Sequence, residues 1–183
     1  MIRRLSSGLY IFMLILFPIS LMAADYVAEA DKLFEQGGLV NYKQAIELYQ
    51  KAIAENPDSY EAHWKCARAY REYGDTAKSQ KVEGWKDICA QYGKEGMQYA
   101  QKATELDPAK PDGYYYYGLN VGVYSDGVSI FTALAEGLKD KTQSSFEKTY
   151  KIDKMFKEGG PMIALGRFWA VLPWPMYDRK KSL

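Results

Sequence analysis

Histidine occurs once and cysteine twice in the 183 residues. So few soft ligands cannot build a zinc site without carboxylate help. No metal role is expected for His63. An excess of one charge is also missing: 24 Lys+Arg stand against 23 Asp+Glu, which removes the basic field that nucleic-acid binders use. There is no Gly-x-Ser-x-Gly elbow, no phosphate-cradling Gly-x-x-x-x-Gly-Lys and no His-Glu-x-x-His. Acid pairs such as Asp25/Glu29 and Glu29/Asp31 fall on polar helix faces, and none is marked for glycoside chemistry. The chain is therefore expected to be neither an enzyme nor a cofactor carrier. Strict apolar–polar alternation is rare and β-branched residues are few, which argues against strands. What remains is a length sufficient for one real core and an excess of tyrosine, 16 against 7 Phe.

The first 24 residues read as an address. Arg3 and Arg4 precede an apolar run from Leu9 to Leu16, and Leu21-Met22-Ala23-Ala24 places small residues ahead of Asp25. That order is a cleaved secretory signal peptide. An uncleaved anchor is the competing reading, but about 15 apolar residues interrupted by Pro18 fall short of a span. Removing Arg3 and Arg4 leaves 22 basic against 23 acidic residues, so the mature chain is near neutral. No cysteine follows the apolar run, so lipid attachment there is not available. The expectation is a periplasmic protein whose single domain spans residues 25–183.

Beyond Asp25 the chain is expected to be all-α. Ala45, Leu48, Tyr49, Ala52 and Ile53 recur at steps of three and four, an amphipathic helix stopped at Asn56-Pro57. A second helix is expected from Glu61 to Tyr73, ended by Gly74-Asp75. The pattern then repeats. Trp64/Ala67/Tyr70, Tyr115/Gly118/Val121 and Ile163/Gly166/Trp169 each place a large, a small and a large residue three apart. Second helices carry Ala45/Tyr49/Ala52/Pro57 and Gly96/Ala100/Ala103/Pro108, with a degenerate copy at Thr142/Phe146/Thr149/Lys154. Small residues let antiparallel helices approach, and the proline closes each unit. In this the chain resembles the tetratricopeptide repeat over residues 26–183.

The repeat is longer than the usual one of about 34 residues. Pro57 to Pro108 and Ala67 to Gly118 are both 51 residues, and Gly118 to Gly166 is 48. The insertions carry apolar faces at Val82, Trp85, Ile88, Cys89 and Tyr92, then at Val128, Ile130, Phe131, Leu134 and Leu138. Second helices are thus expected to be lengthened, or preceded by an extra turn, closing the solenoid into a fuller body. Gly118-Leu119-Asn120-Val121-Gly122, Gly159-Gly160-Pro161, Leu165-Gly166-Arg167-Phe168-Trp169 and Leu172-Pro173 resemble the T-component proteins of TRAP transporters. That resemblance implies a non-enzymatic accessory docking on the transporter's solute-binding subunit and handling a small or hydrophobic organic ligand. A weaker similarity runs to eukaryotic regulators of microtubule dynamics, which share the long inserts; the bacterial-type signal peptide favours the transporter branch. A cell-envelope repeat scaffold taking a partner's peptide is the alternative function.

Shared repeat register places Trp64, Tyr115 and Ile163 on one row, and Arg68, Leu119 and Arg167 one turn further. Trp64, Arg68, Tyr115, Leu119 and Arg167 are accordingly expected to line one concave surface. Two arginines beside aromatic walls suit a carboxylate; the duller alternative is pairing with nearby acids. Within Tyr114 to Tyr117, Tyr116 is expected to face the neighbouring repeat, and Tyr114 and Tyr117 to pack between helices. Asn120 reads as an inter-helix hydrogen bond. Cys66 and Cys89 are 23 residues apart, and either a bridge or two free thiols fits that spacing. Gly159-Gly160-Pro161 reads as a loop and helix start. Leu165 to Leu172 reads as the first helix of a fourth pair, Pro173-Trp174-Pro175 as a linker, and Asp178 onward as a new helix start. The face of Phe168 and Trp169 is then expected to need cover from more chain or from another molecule, a second copy included.

Overall fold

The computed structural model describes residues 16–172. The basic start through Ile15 and the linker and helix expected after Leu172 lie outside the described residues. Eight helices and no strand occur among the described residues. They are α1 (Leu16–Gln36), α2 (Leu39–Glu55), α3 (Tyr60–Ser79), α4 (Trp85–Leu106), α5 (Pro111–Gly127), α6 (Ile130–Ala135), α7 (Leu138–Ile152) and α8 (Phe156–Val171). Each of α1 to α4 packs on the next, α5 packs on α7 and α7 on α8, while α3 also touches α5. The first helices α3 and α5 thus stand side by side and the second helices stack behind them, the tetratricopeptide-like arrangement of antiparallel hairpins.

The repeat register appears directly as burial. Ala45, Tyr49 and Ala52 on α2, Gly96, Ala100 and Ala103 on α4, and Thr142, Phe146 and Thr149 on α7 are all buried. α1 runs without a break through the expected cleavage point at Ala24 and packs through Ala30, Val27, Leu33 and Phe34. No described helix is long and apolar enough to cross a membrane. Ser59 caps α3, its hydroxyl accepting from the Ala62 amide at 3.2 Å, and Pro111 opens α5.

One boundary differs from the sequence reading. α3 continues through Gly74-Asp75 to Ser79. Gly74 is there for close approach: a Cβ on it would meet Val123 Cγ1 of α5 at 2.5 Å. A glycine inside a helix costs up to about 1 kcal/mol in propensity, and here the helix contact offsets it. The first insertion therefore lengthens both α3 and α4. Its apolar face is covered: Tyr92 stacks on Tyr73 at 4.2 Å and tilts against Tyr70 at 5.5 Å. The second insertion becomes α6, which buries none of its residues and leaves Phe131 80% exposed.

α4 and α5 approach backbone to backbone. A Cβ on Gly93 would fall on the Tyr124 amide nitrogen, and one on Gly127 on the Ala90 nitrogen and Lys86 oxygen. Gly118 faces side chain only, its Cβ position lying 2.9 Å from Phe146 Cζ. Gly166, expected at a close crossing, is half-exposed. No second helix of a fourth pair lies among the described residues to press on it. Trp169 is buried and Phe168 half-buried, so the aromatic face expected to need cover is partly covered in the structure.

Candidate functional site

The concave side carries a cleft of about 1080 Å³. Its floor comes from α5, with Tyr115, Leu119 and Val123 spaced a helical turn apart, and from Phe146 of α7. Ile130 and Leu134 of α6 form one lip, Ile163 and Arg167 of α8 the opposite one, and α3 closes an end with Arg71, Asp75 and Lys78. The second insertion thus turns an open concave surface into a walled one.

Of the five residues expected to line one surface, three meet here: Tyr115, Leu119 and Arg167. Trp64 and Arg68 do not. Trp64 stacks flat on Tyr116, 5.7 Å between centroids and 7° between planes, which holds α3 to α5. The Arg68 guanidinium lies 3.8 Å over Phe34 and 5.2 Å from the Trp64 ring, and it donates to Asp31 at 3.3 Å. Asp31 also accepts from Tyr49 at 2.6 Å and from Lys65 at 2.5 Å. α1 supplies both the carboxylate and the ring, so Arg68 joins α1 to α3. Its Nε is buried without a hydrogen-bond partner.

Tyr116 does face the neighbouring repeat, Tyr117 joins the α5 core beside Val121 and Tyr124, and Tyr114 lies under the Lys148 ammonium at 5.6 Å. Tyr115 stands edge-on to Phe156 at 5.3 Å and Phe146 at 5.9 Å. Burial raises its phenol pKa, while Arg71 and Arg167 pull it down. The hydroxyl therefore sits in the field of two guanidinium groups.

The cations of the cleft fall into two sets. Arg71 is neutralised by Glu72 beside it and by Asp75 at 2.8 Å. Burial opposes its charge, and these two acids outweigh burial to hold its pKa up. Lys78 pairs with Asp126 at 2.6 Å. Lys139 has only a loose contact with the exposed Asp140 at 3.7 Å and sits 5.2 Å from the Trp169 ring. Lys157 lies 5.8 Å over Tyr116 and 5.4 Å over Phe156. Neither Lys157 nor Arg167 has a carboxylate within ion-pair distance among the described residues. Lys157 and Lys139 were not singled out from the sequence, and Ile130 and Leu134 of the α6 lip were read there only as part of an apolar face needing cover. They belong to no repeated position, and only the second insertion and the left-handed start of α8 bring them to the cleft.

Cys66 and Cys89 are free and buried. Cys89 Sγ lies 3.5 Å from the Gly74 carbonyl, eight residues along α3 from Cys66, a displacement of about 12 Å. That is too far for a disulfide. Burial pushes the Cys66 thiol well up and Cys89 to about 11, so neither is a nucleophile. His63 is buried, its Nδ1 2.8 Å from the Ser59 carbonyl. No group of three or more His, Cys, Asp and Glu able to hold a metal occurs among the described residues.

No curated protein sequence matches the chain. The family described as Regulator of microtubule dynamics protein 1-3 matches residues 26–155, from the packed part of α1 to the turn before α8. This overturns the resemblance to TRAP-transporter T-components, and with it the transporter-accessory function, the periplasmic solute-binding subunit as partner, and that resemblance as a ground for a small or hydrophobic organic ligand. The residues behind that resemblance have packing duties: Gly118 sits against Phe146, Asn120 ties α5 to α3, and Gly160 backs onto Tyr115. Such positions report long-insert helical repeats and carry nothing specific to a transporter. The matched segment covers well over half of the sequence, and the chain belongs to the regulator of microtubule dynamics family.

Proposed function

We propose that the chain is a non-enzymatic binding protein that holds an anionic amphiphile in the cleft. The apolar body lies along Leu119, Val123 and Phe146 between the lips of α6 and α8, and the acidic head rests beside Arg167 and Lys157. The observation that carries this is the uneven neutralisation of the cleft. Its α3 cations are matched by acids, whereas the α8 pair has none, over a floor that is otherwise apolar. Magnitudes divide the labour. Each methylene withdrawn from water contributes about 0.8 kcal/mol, whereas an exposed ion pair contributes about 0.2–1 kcal/mol. Chain length then sets affinity, and Arg167 selects the head.

Fluorescence titration with dansylaminoundecanoic acid and its methyl ester tests the proposal. The acid should bind several-fold tighter than the ester, and Arg167→Gln should remove that advantage, about fivefold for 1 kcal/mol. Equal weak binding of acid and ester, with no gain from a longer chain, refutes the amphiphile. A glutamate-rich peptide that displaces the probe would replace the amphiphile with an acidic polypeptide.

A further inference from the structure

We infer that α8 is a movable wall of the cleft that pivots at Lys157–Gly159, a conformational control of the site proposed above and dependent on that reading only for its purpose. Three consecutive residues there are left-handed: Lys157 (φ 48, ψ 52), Glu158 (φ 59, ψ 40) and Gly159 (φ 83, ψ 18). Glycine adopts this conformation freely, but Lys and Glu do so at a cost. Adjacent left-handed non-glycine residues occur nowhere else among the described residues. Such strain persists only where the surroundings hold it, and it gathers at switching segments.

The wall beyond the joint is lightly held. Past Gly159, only Gly160, Pro161 and Trp169 are buried among the α8 side chains described, and Met162, Ile163 and Arg167 are exposed. Gly160 lies against Tyr115, where a Cβ would come within 2.9 Å of the phenol oxygen, so the start of the helix is seated while its middle turns rest on the cleft. An element with few buried apolar contacts opens at low free energy. Since α8 carries both Ile163 and Arg167, a swing at the joint removes one lip and the head-group cation together, which admits and releases a ligand without unfolding α3, α5 or α7.

Native-state hydrogen exchange of the full chain tests this without any ligand. Amides 162–171 should exchange at least tenfold faster than those of α5. Glu158 does not line the cleft, so its variants change the joint alone. Glu158→Gly relieves strain and should slow exchange of 162–171 by about tenfold, while Glu158→Val adds strain and should speed it, α5 staying unchanged in both. α8 exchanging in step with α5 overturns the pivot. So does fast exchange of α8 that is indifferent to Glu158. Stopped-flow entry of dansylaminoundecanoic acid should be slower in Glu158→Gly; absence of any probe binding would sink the amphiphile reading and leave the exchange result to decide the pivot.

Discussion

The Asn120 side chain of α5 donates from Nδ2 to the Ala67 carbonyl of α3 at 2.9 Å, across 53 residues of sequence. The same amide donates to the Tyr116 carbonyl at 2.8 Å, and its Oδ1 faces the Cα of Gly96 on α4, with no hydrogen-bond donor of its own. One fully buried amide thus touches three helices. Asn120→Ala loses two hydrogen bonds and opens a cavity, so it should cost about 2–3 kcal/mol. Urea unfolding at constant m-value measures it, and a loss under 0.5 kcal/mol would show that the contact is incidental.

The glycines at the helix crossings should rank by what they face. Gly118→Ala meets only the edge of Phe146, a ring able to shift, and should cost about 1 kcal/mol, with Gly118→Leu nearer 3. Gly93→Ala meets the Tyr124 backbone, so α4 and α5 must separate, and its cost should exceed that of Gly118→Ala. Thermal melts of the two alanine variants give the order directly; a reversed order would place the tight crossing elsewhere.

Arg68 and Arg167 occupy one repeat register and should behave oppositely. Arg68→Ala strips a cation from Asp31 and should lower stability by about 1–2 kcal/mol, leaving probe binding unchanged. Arg167→Gln should leave the melting temperature within a degree or two and weaken the acidic probe. Equal stability losses in the two variants would contradict the division.

Alkaline stability should fall early. Burial raises the phenols of Tyr49, Tyr70 and Tyr116, and brings Tyr92 to about 12. The unfolded chain releases these protons near pH 10, while the folded chain keeps them. The stability they contribute is therefore full below pH 10 and is lost as pH rises above it. A spectrophotometric titration at 295 nm should show a late group of tyrosines ionising together with the loss of helix. Ionisation of all tyrosines near pH 10 with the helix intact would contradict this.

Both thiols should resist modification in the native protein. Ellman's reagent should register no fast-reacting thiol until denaturant is added, and then two per chain. A native chain that yields none even when unfolded would carry the bridge that the Cys89–Gly74 contact excludes.

Periodicity was enough for α2, α4 and α7, because burial of one face every 3.6 residues is a local property. Ala45/Tyr49/Ala52 and Gly96/Ala100/Ala103 announced the antiparallel pairs, and the 51-residue spacing announced the inserts. Glycine was ambiguous. Gly74 looks like a stop in sequence and is a contact in space, since only Val123, 49 residues away, shows what its missing Cβ avoids. The site was legible in part. Register placed Tyr115, Leu119 and Arg167 on one surface, because equivalent positions on first helices face the same way. It also placed Trp64 and Arg68 there, because register says nothing of neighbours: whether a guanidinium is free depends on a carboxylate and a ring from α1, 37 and 34 residues upstream. Lys157 reaches the cleft through a left-handed joint whose torsions neither Lys157 nor Glu158 prefers. Helical order along the chain was thus a matter of local side-chain pattern. Which charges stay unpaired, and which apolar lips meet, was decided by long-range packing alone, since an ion pair or a cleft exists only where distant segments come to rest together.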